Sequence, residues 1–375
     1  MNLRPDGRGG GSAPAPEAAP GKLVQLPEPA GEPIELVAEL PGVLLNGVAV
    51  SPTGRIFISL PRWAGVPTPG VIELLPDGSY RPFPGGDWNA WAPGRPAHAA
   101  FVSIHSINAD RDGNLWVVDE GPPLFHGGSP TTAQPEAEFA DVLPKIVQVD
   151  VASGKVAQTF PIPREAAPPG SNFGHMRLDS RFLYVSEAGF GSVIVIDRRT
   201  KEVRRRLAGS QVAKADPTII PVFAGVPIAE PGKVPQIHLD HMEVDGRGEK
   251  LFFMSLFGPT LYSVRIDDLT NWSLSEQDLE KRVSVEGPVP PATGLREDAK
   301  GDLYICSITD FAIMRRARSG GWEIVARDPR IYLPNNPSFG PDGSLYFPVS
   351  LPPGIPDIGV NGPPAIYRIK ASSLV

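Results

Sequence analysis

The sequence predicts an all-β chain folded as a six-bladed propeller, on three observations. A hairpin motif recurs six times, the recurrences are spaced as whole four-stranded sheets would be, and the composition suits short strands joined by turns. The motif is clearest from Phe101 to Gly121, where an apolar-rich run, an Asp110-Arg111-Asp112-Gly113 turn and Leu115-Trp116-Val117-Val118 read as two antiparallel strands. Further copies centre on Ser51-Pro52-Thr53-Gly54, on Gly174 to Glu187, on Asp245 to Lys250, on Asp298-Ala299-Lys300-Gly301 and on Gly340-Pro341-Asp342-Gly343. Matching positions before each turn are Asn46, His105, Gly174, Asp240, Thr293 and Asn335, spaced 59, 69, 66, 53 and 42 residues apart. Unequal periods of this size, each holding about four short strands, fit propeller blades with loops of different lengths. The 45 prolines and 40 glycines in 375 residues would indicate disorder were 41% of the chain not hydrophobic and set in short alternating runs.

In chain order, residues 1–30 hold Gly9-Gly10-Gly11 and a Pro/Ala-rich tract and read as a flexible tail, leaving 31–375 as one propeller domain. Ile34 to Ala38 is a strand that precedes the first hairpin. The last repeat supplies strands near 335–339, 344–349 and 364–369, one short of four, so the N-terminal strand is expected to complete that blade and leave no open edge. Blade 1 runs from Leu44 to about Phe83, and the Asp87-Trp88-Asn89-Ala90-Trp91 connection should pack over a rim. Blade 2 continues through Lys145–Val149 and Val156–Phe160, and blade 3 through Val193–Ile196 and Val203–Leu207. Blade 4 adds Leu251–Phe253 and Leu261–Val264, with a short helix within Ser273–Lys281 capped by Ser273 or Ser275.

Charge and motifs narrow the function. A formal net charge of −7 gives no cationic footprint for nucleic acid. The basic run Arg198 to Arg206 reads as a solvated edge strand, and the single cysteine, Cys306, as a core residue. No apolar run is long enough to span a bilayer and no signal-peptide h-region is visible, so the expectation is a cytoplasmic protein acting on a small molecule, away from membranes. There is no GxSxG elbow, phosphate loop, dinucleotide fingerprint or HExxH motif.

Loop placement then points to a site. The longest connections, Pro61–Pro69, Gly85–Ala100, Gly121–Asp141, Gly209–Ile237 and Leu351–Pro363, fall on the face where innermost strands start and second strands end. Innermost-strand starts on that rim carry Asn46, His105, Ser106, His175, Asp240, His241, Thr293, Asn335 and Asn336. Simple strand alternation would let one of each adjacent pair face the channel. The strings His175-Met176-Arg177-Leu178-Asp179 and His241-Met242-Glu243-Val244-Asp245 put two histidines in the same register of neighbouring blades. With Asp240 and His105 nearby, these residue types suit zinc, manganese or iron, whereas Asp240, Asn46 and Asn335 alone would suit calcium. The bland alternative is a polar channel that binds water. Glu120 and Glu187 end second strands at the same rim and are candidate acids, bases or outer partners of a ligand histidine. His98, His126 and His238 are weaker candidates.

At these residues the chain resembles a family. Leu60-Pro61-Arg62-Trp63 with Gly65-Val66-Pro67, Asp87-Trp88-Asn89, Phe101-Val102-Ser103, Leu115–Asp119 with Gly121, and Asn335-Asn336-Pro337-Ser338 before Gly340-Pro341-Asp342-Gly343 resemble, in order, the bacterial form of the major royal jelly protein/yellow family. The resemblance implies a six-bladed propeller. It implies less about function, since the family spans proteins without known catalysis, yellow proteins linked to dopachrome conversion, and bacterial members described as gluconolactonase-like. Similarity to gluconolactonase-type propellers implies a divalent cation held by Glu, Asn and Asp at innermost-strand starts, where Asp240 and Asn335 stand. The chain departs from that pattern with Gly174-His175 where an Asn-Asp pair is common and His105 where Gln is common. The leading expectation is metal-dependent hydrolysis of a small lactone, with Asp240, His175 and His241 as metal ligands or bases and Asn335 as a fourth ligand. Asn46, His105, Ser106, Glu120, Glu187, Thr293, Asn335 and Asn336 are the expected substrate contacts. The alternatives are an isomerase or tautomerase of a quinone-like or keto substrate, and a non-catalytic binder of a small ligand.

Overall fold

The computed structural model describes residues 27–63, 69–122, 141–223, 236–317, 320–351 and 362–374, with isolated positions in the intervening loops. Six antiparallel sheets form the blades, and two short two-stranded ribbons, Phe125–His126 with Ser129–Pro130 and Val222–Phe223 with Val226–Pro227, lie in the loops. Blade 1 comprises Gly47–Val50, Ile56–Ser59, Val71–Leu74 and Tyr80–Pro82; blade 2 comprises Ile104–Ala109, Asn114–Asp119, Lys145–Asp150 and Lys155–Pro161. Blade 3 holds Phe173–Leu178, Phe182–Glu187, Ser192–Asp197 and Val203–Arg206; blade 4 holds Leu239–Val244, Lys250–Ser255, Thr260–Arg265 and Ser284–Pro288. Blade 5 is Ala292–Glu297, Leu303–Ser307, Ala312–Arg316 and Trp322–Arg327. Blade 6 is Ser338–Phe339, Leu345–Val349 and Ala365–Ile369, and its outermost strand is Glu35–Glu39, which pairs antiparallel with Ala365–Ile369.

The N-terminal region does one thing more. Ala30 and Gly31 pair with Arg327 and Ala326, adding a short fifth strand to blade 5, so the sheet contacts begin at the end of the stretch expected to be a tail. Residues 1–26 lie outside the described residues.

Strand alternation explains the core. Each strand sends successive side chains to opposite faces of its blade, and each face packs on the neighbouring blade. Trp116, Ile146 and Phe160 of blade 2 thus meet Phe173, Met176 and Leu183 of blade 3, and Tyr184, Val193 and Val195 of blade 3 meet Leu239, Met242 and Phe253 of blade 4. Equivalent clusters fill the remaining four blade interfaces, and Cys306 lies buried in the one between blades 5 and 6. Truncating a fully buried aromatic such as Phe253 to alanine would cost roughly 3–5 kcal/mol.

The turns of blades 2 to 5 on the face opposite the long loops share one device. Asp110 accepts backbone N–H bonds from Asp112 (2.9 Å) and Asn114 (2.8 Å), while its other oxygen accepts the Trp116 indole N–H at 2.7 Å. Gly113, with φ of 84°, supplies the left-handed position that closes the turn. Asp179 repeats the arrangement with the backbone of Arg181 and Phe182 and the hydroxyl of Tyr184. Asp245 and Asp298 hold their turns through Glu249 and Lys250 and through Lys300 and Asp302. An Asp here satisfies the exposed turn donors and pins a strand aromatic against the blade.

The expected helix is Glu276–Glu280, capped by Ser275, whose hydroxyl accepts the Asp278 N–H. Its Leu279 is buried between blades 3 and 4, and Glu276 pairs with Arg206, so the helix is tied into the core rather than decorating it. The basic run is an outer strand with neutralised charges, Arg204 pairing with Glu202 and Arg205 with Glu187. Trp88 and Trp91 pack on Phe101 and Phe139 over the rim.

Candidate metal centre

The site begins with a backbone irregularity that the sequence reading lacked. In blades 2 to 5 the register of the innermost strand against its neighbour shifts by one residue, between Ile104 and Ile107, Phe173 and Met176, Leu239 and His241, and Ala292 and Leu295. Such a bulge breaks strict alternation and re-aims side chains. Asp240 and its neighbour His241 therefore both reach the same point, which corrects the expectation of one residue from each adjacent pair.

At that point, one ligating atom from each of His175, Asp240 and His241 lies within 4.8 Å of the others. His241 Nδ1 is 3.0 Å from His175 Nε2, and His241 Nε2 is 3.3 Å from Asp240 Oδ2. All three are buried; His175 Nδ1 has no hydrogen-bond partner among the described residues, and His241 Nε2 faces the Asp240 carboxylate. Gly174 makes room for the carboxylate: a Cβ there would stand 2.4 Å from Asp240 Oδ1 and 2.7 Å from Ser186 Oγ. The departure to Gly174-His175 is thus one local solution, in which blade 3 gives up a side chain at one position, admits the Asp240 carboxylate from blade 4, and supplies an imidazole at the next.

Burial sets the electrostatics. It pushes the Asp240 carboxyl up to about 7, with no guanidinium or ammonium beside it among the described residues. It pulls His241 down to about 3, helped by charge repulsion from His105 and Arg177, and it holds His175 well below the ordinary imidazole value, aided by His241 and Arg177. The two imidazoles are therefore neutral at physiological pH, with lone pairs available.

The neighbouring polar residues are committed elsewhere. Asn46 donates to the His105 carbonyl at 2.5 Å and accepts from Asn335 Nδ2 at 2.6 Å, while Asn335 Oδ1 accepts the Asn336 N–H at 2.8 Å. Asn335 is thereby joined to blade 1 through Asn46. His105, lowered to about 3 mainly by burial, stands between the two groups, its ring 6.0 Å from that of His175 and 5.4 Å from Trp63. Ser106 donates to the Gly174 carbonyl at 2.8 Å, and Thr293 donates to the Pro334 carbonyl, tying blade 5 to blade 6. Asn336 Nδ2 is buried without a hydrogen-bond partner and fits against Gly47, where a Cβ would lie 2.6 Å from it.

The two rim glutamates differ. Glu120 Oε1 accepts from Trp63 Nε1 at 2.8 Å and Ser103 Oγ at 2.6 Å, bracing the wall beside His105. Glu187 is fully buried and bonds to Arg205, Ser192 and the backbone of Asn172, Gly189 and Phe190, so it organises its own blade rather than the site. His98 is exposed on a short turn, His238 accepts the Ala215 N–H, and the side chain of His126 lies outside the described residues. So do 64–68 and most of 123–138 and 352–361 in the long loops.

Sequence reasoning missed a second polar layer, two residues further along the same strands. Arg177 Nε is 2.8 Å from Glu243 Oε2, Arg296 Nη1 is 3.5 Å from the same oxygen, and Arg296 Nη2 donates to Asn108 Oδ1 at 2.6 Å. Arg177 also donates to the carbonyls of Met176 and Leu295, both at 2.7 Å. The signal was present: charged residues at matched positions of otherwise apolar inner strands.

Against known proteins, the chain matches solved propellers along most of its length. It aligns with a calcium-binding protein, regucalcin, from Agrobacterium tumefaciens at 15% identity and a TM-score of 0.54, covering 91% of this chain and 93% of that one. A putative gluconolactonase aligns at 13% identity and a TM-score of 0.52, covering 93% and 94%, and a streptogramin B lyase at 13% and 0.51, covering 91% and 98%. At such identities the likeness establishes the fold. No curated protein matches the chain significantly. No described helix is long and apolar enough to cross a membrane. The sequence profile described as major royal jelly protein matches residues 102–326. That match covers the innermost strands of blades 2 to 5, and with them His105, His175, Asp240 and His241, and on it the chain belongs to the major royal jelly protein family.

Proposed function

We propose that the protein is a propeller enzyme that hydrolyses a small lactone or similar ring ester with a divalent transition metal held by His175, Asp240 and His241. The observation that carries this reading is the buried cluster itself: two neutral imidazoles and one carboxylate with raised pKa, brought within 4.8 Å. A buried carboxylate without a cation costs free energy, and neutral imidazole nitrogens beside it are the donors that zinc, manganese or iron prefer. When bound, the cation would polarise an ester carbonyl and acidify water.

The remaining chemistry belongs to the chain. Asp240 supplies the negative charge that favours metal over proton in the cluster, and Gly174 supplies the space for it. Trp63, packed edge-on against His105 and hydrogen-bonded to Glu120, forms a wall with them beside the cluster. Regucalcin is described as calcium-binding, and a putative gluconolactonase and a streptogramin B lyase share the fold, so a propeller enzyme is consistent with the neighbours.

A second reading, a proton-shifting isomerase, draws on the same atoms. Asp240, His241 and His175 form a chain that leaves His175 Nδ1 free to accept a proton. The burial that lowers the basicity of His175 weighs against it. Elemental analysis of the purified protein followed by a pH-indicator screen over lactones separates the readings. Stoichiometric metal with acid release supports the hydrolase, and metal-independent turnover of a keto or quinone-like substrate supports the isomerase. Asp240→Ala should lose both metal and hydrolysis; full occupancy and turnover in that variant would falsify the assignment.

A further inference from the structure

We propose that the channel takes a substrate bearing a carboxylate in addition to its reacting ring ester, drawn by the surplus positive charge of the Arg177–Glu243–Arg296 layer beneath the cluster. The inference rests on the proposed ester chemistry only for where the reacting group sits; the charge pattern is independent of it. Two guanidiniums share a single carboxylate, their side chains 4% and 14% exposed and that of Glu243 8% exposed. The other partners of the two arginines are the neutral carbonyls of Met176 and Leu295 and the amide of Asn108, which fix the guanidiniums in place without cancelling charge. Water and salt screen such buried charges weakly.

The Asp240 carboxylate, three residues before Glu243 on the same strand, is engaged in the cluster. A divalent cation there would reverse its sign, so loading the site increases the positive charge of the channel. The layer lies two residues along the strands from the cluster, roughly 7 Å. An anionic group held towards the layer leaves a ring carbonyl a few bonds away at the level of His175, Asp240 and His241. The preference therefore selects small, compact ring esters with a carboxylate close to the ring.

Calorimetry on the full chain, metal-free and after zinc loading, with 2-tetrahydrofuroate and its neutral amide tests this with ligands that cannot be hydrolysed. The acid should bind at least about tenfold more tightly, the size expected of one unit charge at this distance through an effective dielectric near 20. Arg296→Met balances the layer at one guanidinium and one carboxylate and should reduce the preference to about threefold or less. Equal affinity for acid and amide in the unsubstituted protein, or an undiminished preference in a folded Arg296→Met variant, overturns the inference. If neutral and carboxylated γ-lactones are hydrolysed equally well while acid and amide bind alike, the ester chemistry stands and the carboxylate does not. If the acid is preferred but no lactone is turned over, the reverse holds.

Discussion

At the residue scale, the position that decides the centre is a glycine. A methyl group at Gly174 would meet Asp240 Oδ1 at 2.4 Å, in a site too closely packed to yield, so Gly174→Ala should displace the carboxylate and weaken metal binding by about tenfold or more. The matched control is Gly47→Ala on blade 1, whose Cβ would strike Asn336 rather than a member of the cluster. Metal titration of both variants checks the prediction, and it is refuted if the two lose affinity equally. His105 shows the converse, a histidine on the same rim that the fold uses for its wall.

At the element scale, the Asp-anchored turns hold the blades' inner hairpins. Asp110 satisfies two backbone N–H groups and the Trp116 indole, and loss of buried or half-buried bonds of this kind costs roughly 1–3 kcal/mol in all. Asp110→Ala should lower the urea midpoint accordingly while leaving metal content unchanged, since the turn lies at the far end of the strand from the cluster. A variant as stable as the parent would show that the turn closes without its carboxylate. The bulges in blades 2 to 5 act at the other end of the same strands, where they exchange ladder regularity for convergence of side chains.

At the scale of the whole molecule, buried histidines tie stability to pH. His105 and His241 are lowered to about 3, His238 to about 4, and His175 lies well below its ordinary value, burial being the leading cause in each. The unfolded chain takes up these protons near pH 6.5 and the folded one does not, so stability is present above that pH and falls as pH drops towards 4. The raised Asp240 carboxyl acts in the opposite sense, because the metal-free fold holds its proton up to about pH 7, but it is one group against four. Denaturation midpoints of the metal-free protein should therefore fall steadily between pH 7 and pH 5, and His105→Gln should flatten the slope. A midpoint independent of pH over that range would contradict the burial of these rings.

The sequence by itself determined the architecture, because local chemistry is enough to write it. Apolar alternation sets each strand, Asp and Gly at fixed offsets set each turn, and six repetitions leave a ring of sheets as the way to bury both faces of every blade. It also marked His175, Asp240 and His241, since register within a repeat shows which blade positions are equivalent. The tertiary structure decided which of the marked groups meet. Glu187 is a carboxylate like Asp240, but Arg205 claims it, and that partner comes from another strand of the same blade. Whether two neighbours such as Asp240 and His241 can face one point depends on a one-residue bulge, which arises from how a strand fits its neighbour and leaves no period in the sequence. The paired arginines below them follow the same rule: their charges are legible in one dimension, while the surplus exists because the blades bring two guanidiniums to a single carboxylate in a largely buried layer.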